Sequence, residues 1–297
     1  MMEESSSARP LVGRWLALEL RPTRPLTWLG PAWAVLCGAV ASGGLLPRGQ
    51  TAFLLIFSLL LGDVLLGAWR ALWLQPDWRD AVRRAVINAP TWYVESDDAY
   101  GWRVVRLIRR IGGRVRFLRK VILPAVDSEI VGMAMVGALA LSVAVVLGQT
   151  VVALTLAALF FALVEGQVSG ERGAYLRALF EIALPWLIAE SAFGYFSWLS
   201  LFYVLIFTLV YRSLVGLAET RRTYWLVWSN LAQLLAALAL FVGSAPAVAG
   251  LAALGLLAQV LWQSRFRVNR DGRAYVQRVQ SYVLVVMLAA AFAIALI

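Results

Sequence analysis

Stretches of about twenty apolar residues, each long enough to cross a hydrocarbon layer of about 30 Å as a helix, recur along the whole of this sequence. Nine are expected, at roughly 27–45, 51–74, 129–148, 150–166, 174–192, 195–215, 223–242, 245–264 and 279–297, the fourth short and the fifth interrupted by Pro185. In lipid every backbone N–H and C=O must be satisfied internally, so spanning stretches of this length are helices. The expected fold is therefore all-α: a polytopic membrane bundle, one domain over 1–297. Composition agrees, because 61% of the 297 residues are hydrophobic and 15% charged, against about 45–50% and about 25% in soluble domains. A soluble globule is excluded.

The same composition removes several chemistries. The chain has no histidine, which eliminates histidine metal sites and Ser-His-Asp catalysis, and its lone Cys37 can form neither an intrachain disulfide nor a Cys-x-x-Cys centre. The formal net charge of +10 would suit nucleic acid in a soluble protein. In a membrane chain, basic residues instead set topology and meet anionic headgroups, so no nucleic-acid partner is expected.

Their distribution gives an orientation. Arg9, Arg14, Arg21 and Arg24 precede the first stretch, and eleven basic residues from Arg79 to Lys120 separate the second from the third. Arg172 and Arg177, then Arg212, Arg221 and Arg222, then Arg265, Arg267, Arg270, Arg273 and Arg278 fall in alternate later connections, leaving Arg48 on the other side and Arg70 inside a span. The positive-inside rule predicts a cytoplasmic N-terminus and an external C-terminus in an inner (cytoplasmic) membrane. The polar, acidic opening does not have the layout of a cleavable signal, so the first span is expected to stay. Segment 76–125 is a long basic loop, with Trp102 to Lys120 reading as an interfacial amphipathic helix: an anchor on anionic lipid, or a cap or docking surface over a cytoplasmic cavity.

Ionisable residues at membrane depth cost about 2.5–3.5 kcal/mol on insertion scales, so each implies a partner or a cavity. Asp63 and Arg70 lie two turns apart, on one face and about 10 Å apart along the axis, too far to pair. Asp63 reads as a cavity residue or an interhelical hydrogen-bond partner, and Arg70 as snorkelling to the interface. Of Glu181 and Glu190, the former is the better site candidate and the latter is expected to be solvated near the outer end. Trp28, Trp33, Trp69, Trp73, Trp186, Trp198, Trp225 and Trp228 read mainly as an interfacial belt.

The run Arg21-Pro22-Thr23-Arg24-Pro25-Leu26-Thr27-Trp28-Leu29-Gly30-Pro31-Ala32-Trp33-Ala34-Val35-Leu36-Cys37-Gly38, with Ser42-Gly43 after it, resembles the opening of chlorophyll and bacteriochlorophyll synthases, members of the UbiA superfamily of intramembrane prenyltransferases. Ala183-Leu184-Pro185-Trp186 is similar to that family's fifth helix, and Tyr275, Gln280 and Tyr282 to the stretch before its last one. The resemblance implies a nine-helix UbiA-like bundle and transfer of a prenyl group from an isoprenoid diphosphate bridged by Mg²⁺ to two Asp-rich motifs.

Those motifs are degenerate here. The first aligns with Trp73-Leu74-Gln75-Pro76-Asp77-Trp78-Arg79-Asp80, and the second, spanning Tyr211 to Arg222, keeps Glu219 as its one carboxylate. A basic stretch after the fourth helix has become Glu165-Gly166-Gln167-Val168-Ser169-Gly170-Glu171-Arg172. Diphosphate departure needs carboxylate-held Mg²⁺ or equivalent positive charge. One reading is thus a relative that has lost catalysis and binds a tetrapyrrole, carotenoid or isoprenoid as a photosynthetic-complex subunit or assembly factor. The alternative is a divergent prenyltransferase acting on an aromatic or tetrapyrrole acceptor, with Asp77, Asp80 and Glu219 as metal candidates and Asp97-Asp98 in reserve; a transporter of an apolar solute is a third reading. Asp63, Arg70, Glu181, Trp186, Tyr211 and Arg212 are the substrate or cavity candidates. A bound chlorophyll-type pigment would take an axial ligand from Gln149, Gln167, Asn230, Gln233 or Gln259, from a Glu or backbone carbonyl, or from water.

Overall fold

The computed structural model describes residues 26, 28–44, 49–74, 123–168, 171–220, 222–243, 245–263 and 268–296. Asp77, Asp80, Asp97, Asp98 and the expected amphipathic helix from Trp102 to Lys120 lie outside the described residues.

Every regular element among the described residues is helical. In chain order they are α1 (Pro31–Ala41), α2 (49–74), α3 (Leu123–Leu147), α4 (Gln149–Glu165), α5 (171–192), α6 (Trp198–Thr220), α7 (Tyr224–Val242), α8 (Pro246–Gln263) and α9 (Val268–Leu296). Six segments have the length and hydropathy to cross a bilayer: Gln50–Leu74, Ile130–Leu147, Trp198–Thr220, Tyr224–Val242, Pro246–Gln263 and Gly272–Leu296. The chain is an all-α integral membrane protein.

Two expected spans differ in extent. α1 has 11 residues, a rise of about 16 Å at 1.5 Å per residue, because Pro31 opens it where a missing N–H is harmless and the chain turns at Gly43, whose φ of +66° suits glycine. α9 begins at Val268, before the expected 279. Its first turns are anchored rather than free: Tyr275 is buried and accepts a 2.8 Å hydrogen bond from Gln263 of α8, and Arg278 stacks 5.1 Å from the Trp262 ring.

The helices pack as two cores that share α5. Phe180, Leu184, Ile188 and Ala192, four residues apart, belong to a core shared with α2, α3 and α4. Ala178, Ile182 and Trp186, also four apart, belong to a core shared with α1, α6, α7, α8 and α9. Side chains at i and i+4 share a helix face, so one rod serves both sides. α6 is the most enclosed of the six spans, with 78% of its apolar window buried, and α8 the least, with 17%. The outward residues of α7 and α8, such as Leu231, Leu238, Leu254 and Leu261, are exposed aliphatics suited to lipid.

Helices α2 and α5 each contain a π turn, at Leu60–Leu65 and Leu179–Ala183. In α5 the physical cause is Pro185, which has no N–H for the carbonyl of Glu181 and whose ring crowds that carbonyl. Widening the preceding turn keeps the rod continuous. The π turn of α2 packs on α5 just after the latter's own π turn, where α1 crosses: a Cβ on Gly62 would lie 2.8 Å from Val35 Cγ2 and 3.4 Å from Pro185 Cβ, and one on Gly38 would lie 2.2 Å from the Trp186 carbonyl oxygen. Small residues let helix backbones approach this closely in a membrane.

Candidate functional site

Each π turn carries a carboxylate, Asp63 in α2 and Glu181 in α5, and such turns are frequent at functional sites. The π turn in α2 adds a residue to the turn that holds Asp63. Asp63 is half-buried. Glu181 is 1% exposed and lies at the centre of a charge network at the end of the bundle where α2, α4 and α6 finish and α5 begins.

Arg70 joins three helices there. Its Nε and Nη2 donate to Glu165 Oε2 and Oε1 at the end of α4, and its Nη1 to Glu181 Oε1, all at 2.7 Å. Arg177, one turn before Glu181, donates to the same Oε1 at 3.1 Å and to Glu219 Oε1 on α6 at 3.3 Å. Tyr211 Oη donates to the other oxygen of Glu181. Arg70 therefore does not snorkel: with its side chain 15% exposed, pairing inside the bundle outweighs reaching for water. Glu165 and Arg177 escaped the sequence reading as partners. The available signal was a carboxylate closing one apolar stretch while an arginine sat inside another.

Arg212 follows Tyr211 on α6 and behaves differently. It is 2% exposed, its guanidinium carbon lies 4.1 Å from the Trp225 ring centre and 4.9 Å from that of Tyr175, and Nε and Nη1 have no hydrogen-bond partner. A Cβ on Gly216 would sit 2.7 Å from Arg212 Nη1 and 2.6 Å from Trp225, so that glycine supplies the room for the stack.

At the opposite end, Glu190 is buried, not solvated. It accepts from Ser200 Oγ at 2.6 Å and from the Ser197 N–H at 3.3 Å, which ties the end of α5 to the start of α6. Trp186 Nε1 donates to Ser200 Oγ at 3.0 Å. Trp186 and Trp225 are thus core residues rather than belt residues, while Trp28 and Trp198, at 73% and 79% exposure, fit the belt.

Three of the candidate pigment ligands are engaged with protein. Gln233 and Gln259 exchange amide hydrogen bonds of 3.0 and 2.7 Å between α7 and α8. Asn230 and Gln263 do the same at 3.0 and 2.9 Å. Gln149 and Gln167 are exposed.

The described donors do not fit Mg²⁺. The ion needs oxygen ligands near octahedral geometry, whereas Glu165 is held by Arg70, Glu181 by two arginines and a tyrosine, and Glu219 by Arg177. Among the described residues no three His, Cys, Asp or Glu side chains converge as a metal site.

Over 186 residues, 61% of its length, the chain is 28% identical to the bacteriochlorophyll synthase 34 kDa chain of Chloroflexus aurantiacus, a match covering 51% of that protein. The chain thus spans about half the length of the curated relative it matches. No protein-family model matches the chain, and no solved structure does.

Proposed function

We propose that this chain is a chlorophyll-synthase-like membrane protein that has lost Mg²⁺-diphosphate catalysis and binds a tetrapyrrole, carotenoid or isoprenoid as a subunit or assembly factor of a photosynthetic membrane complex. The carrying observation is the continuous chain Glu165, Arg70, Glu181, Arg177, Glu219. The resemblance implies metal and diphosphate chemistry beside these helix ends, yet here two guanidiniums pair with all three carboxylates, the metal candidate Glu219 among them. Recruiting Glu181 to a cation would strip it from two charge partners in a site with little water, at a cost of about 3–5 kcal/mol for a broken buried pair. The orientation that fits this reading has the network on the cytoplasmic side, as the basic connections predict.

The similarity to a bacteriochlorophyll synthase favours a second reading, a divergent prenyltransferase with Asp77 and Asp80 as metal ligands. Two measurements separate them. Protein purified from its native membrane in mild detergent is examined by absorption and mass spectrometry for co-purifying pigment or isoprenoid, and diphosphate release from an isoprenoid diphosphate is assayed with and without Mg²⁺. A stoichiometric ligand with no Mg²⁺-dependent release supports the binding reading. Release that Asp77→Ala abolishes overturns it in favour of the enzyme.

A further inference from the structure

We infer that the seam between α8 and α9 carries a surface site for an anionic phospholipid, with Arg278 taking the headgroup phosphate beside Trp262 and Tyr282. The inference goes beyond the proposed function and holds whether or not the chain is catalytic, because it uses none of the residues on which that reading rests.

Helix lengths set the depth of this seam. With 18 residues, α8 rises about 27 Å at 1.5 Å per residue, close to the hydrocarbon thickness of about 30 Å, so Trp262, the residue before its last, lies near one interface. α9 runs antiparallel to it: Tyr275 is bonded to Gln263, Arg278 stacks on Trp262, and a Cβ on Gly255 would lie 3.4 Å from Val286 Cγ2. With 29 residues and a rise of about 43 Å, α9 exceeds the hydrocarbon layer by about two turns. Its opening turns therefore lie at headgroup level, and Arg278, ten residues in, stands at the boundary.

Arg278 is exposed, so an anion reaches it from the lipid without a cavity having to open. Its guanidinium reaches across to the neighbouring helix, where the Trp262 ring, 5.1 Å away, holds it at the seam through cation–π attraction. A guanidinium carries five N–H donors, so it can serve protein and phosphate together, and its planar edge matches phosphate oxygens. Tyr282, four residues on and so on the same face, is 37% exposed and adds an amphipathic ring of the kind suited to an interface. Further into the membrane, Leu254 and Leu257 of α8 and Val285 of α9 are exposed aliphatics. A cation fixed at headgroup depth with apolar surface beyond it is complementary to an anion that brings its own acyl chains. Arg273 is exposed too, but at five residues' remove it lies about 140° round the helix, off the seam: the same charge without the stack.

The test is native mass spectrometry of the full chain in a neutral maltoside detergent. Dioleoyl phosphatidylglycerol and dioleoyl phosphatidylcholine, which share tails and phosphate but differ in net charge, are added in equal amounts. We expect the wild type to retain phosphatidylglycerol in preference, and Arg278→Gln to weaken that binding by about tenfold, the scale of a charge-assisted hydrogen bond. Arg278→Lys, which keeps the charge but not the planar fork, should weaken it less, and Arg273→Gln should match the wild type. A wild type that does not prefer the anionic lipid overturns the site, as does unchanged binding by Arg278→Gln. An equal loss in Arg273→Gln overturns it in favour of diffuse basic charge. Should the glutamine variant at 278 fail to fold, the lysine variant decides: reduced binding supports the site and unchanged binding overturns it. Displacement of the lipid by water-soluble glycerol phosphate at the same concentration would assign the anion to a soluble source and overturn the phospholipid, whereas lipid that resists it supports the assignment.

Discussion

The guanidinium of Arg70 and the carboxylate of Glu165 meet side-on, Nε to Oε2 and Nη2 to Oε1, both at 2.7 Å, and so fix the end of α2 to the end of α4. Removing one partner leaves the other charged in a site that is 10–15% exposed. Glu165→Leu is therefore expected to destabilise the protein by about 3 kcal/mol. Arg70→Met combined with Glu165→Leu should cost clearly less than the two single changes added together, because no orphan charge at Glu165 then remains. A double-mutant cycle on thermal unfolding in detergent checks this; simple additivity would mean that the pair is not coupled.

Gly38 and Gly250 make opposite predictions for the same substitution. Gly38→Ala drives a methyl to 2.2 Å from the Trp186 carbonyl, backbone that cannot swing aside, whereas Gly250→Ala on α8 meets nothing within 4 Å. The first should cost about 1–3 kcal/mol through overpacking. The second should gain about 0.5–1 kcal/mol from helix propensity. Unfolding midpoints of the two variants measured side by side test the α1 and α5 crossing; a harmless Gly38→Ala would contradict it.

That crossing also explains what was legible in the sequence. Apolar runs of span length expose helices directly, because lipid permits few other backbones, and each of the nine runs falls on a helix. The quoted resemblance residues prove architectural: Gly38 packs on Trp186, Gly62 packs beside Pro185, and the Trp28 N–H donates to Gln280 Oε1 at 3.4 Å. Pairing between charges was not legible. Arg70 and Glu165 are 95 positions apart, and a helix pattern carries no information on which rods lie side by side. Nor was the widening of α2 at Asp63, since a π turn leaves no periodic mark over a uniformly apolar stretch. Glu190 misled for a related reason: its place near a helix end suggested water, but the polar group awaiting it was the start of α6.

Between α7 and α8 the two reciprocal amide pairs lie on the same seam, Gln233 with Gln259 and Asn230 with Gln263. Interhelical hydrogen bonds in membranes average about 0.6 kcal/mol, so each pair contributes little but specifies register. Gln233→Leu alone should cost about 1 kcal/mol by leaving the Gln259 amide unmet, while Gln233→Leu with Gln259→Leu should be nearly neutral. Chemical unfolding of the single and double variants decides, and a double variant worse than the sum would require a further partner for these amides.

Stability should also ignore magnesium. A ligand at one hundred times its dissociation constant adds about 2.7 kcal/mol to the folded state, which for a chain of this size moves the unfolding midpoint by several degrees. With Glu165, Glu181 and Glu219 held by arginines, millimolar Mg²⁺ and EDTA should give midpoints that agree within about one degree. The informative comparison is with Arg177→Gln, which releases Glu219 and frees one side of Glu181. Two carboxylates relieved of their shared cation could then gather a divalent ion, so Mg²⁺ should raise the midpoint of that variant while leaving the wild type unmoved. A wild-type midpoint that climbs with Mg²⁺, and ceases to do so in Asp77→Ala or Asp80→Ala, would put a metal at the first Asp-rich stretch and favour the prenyltransferase.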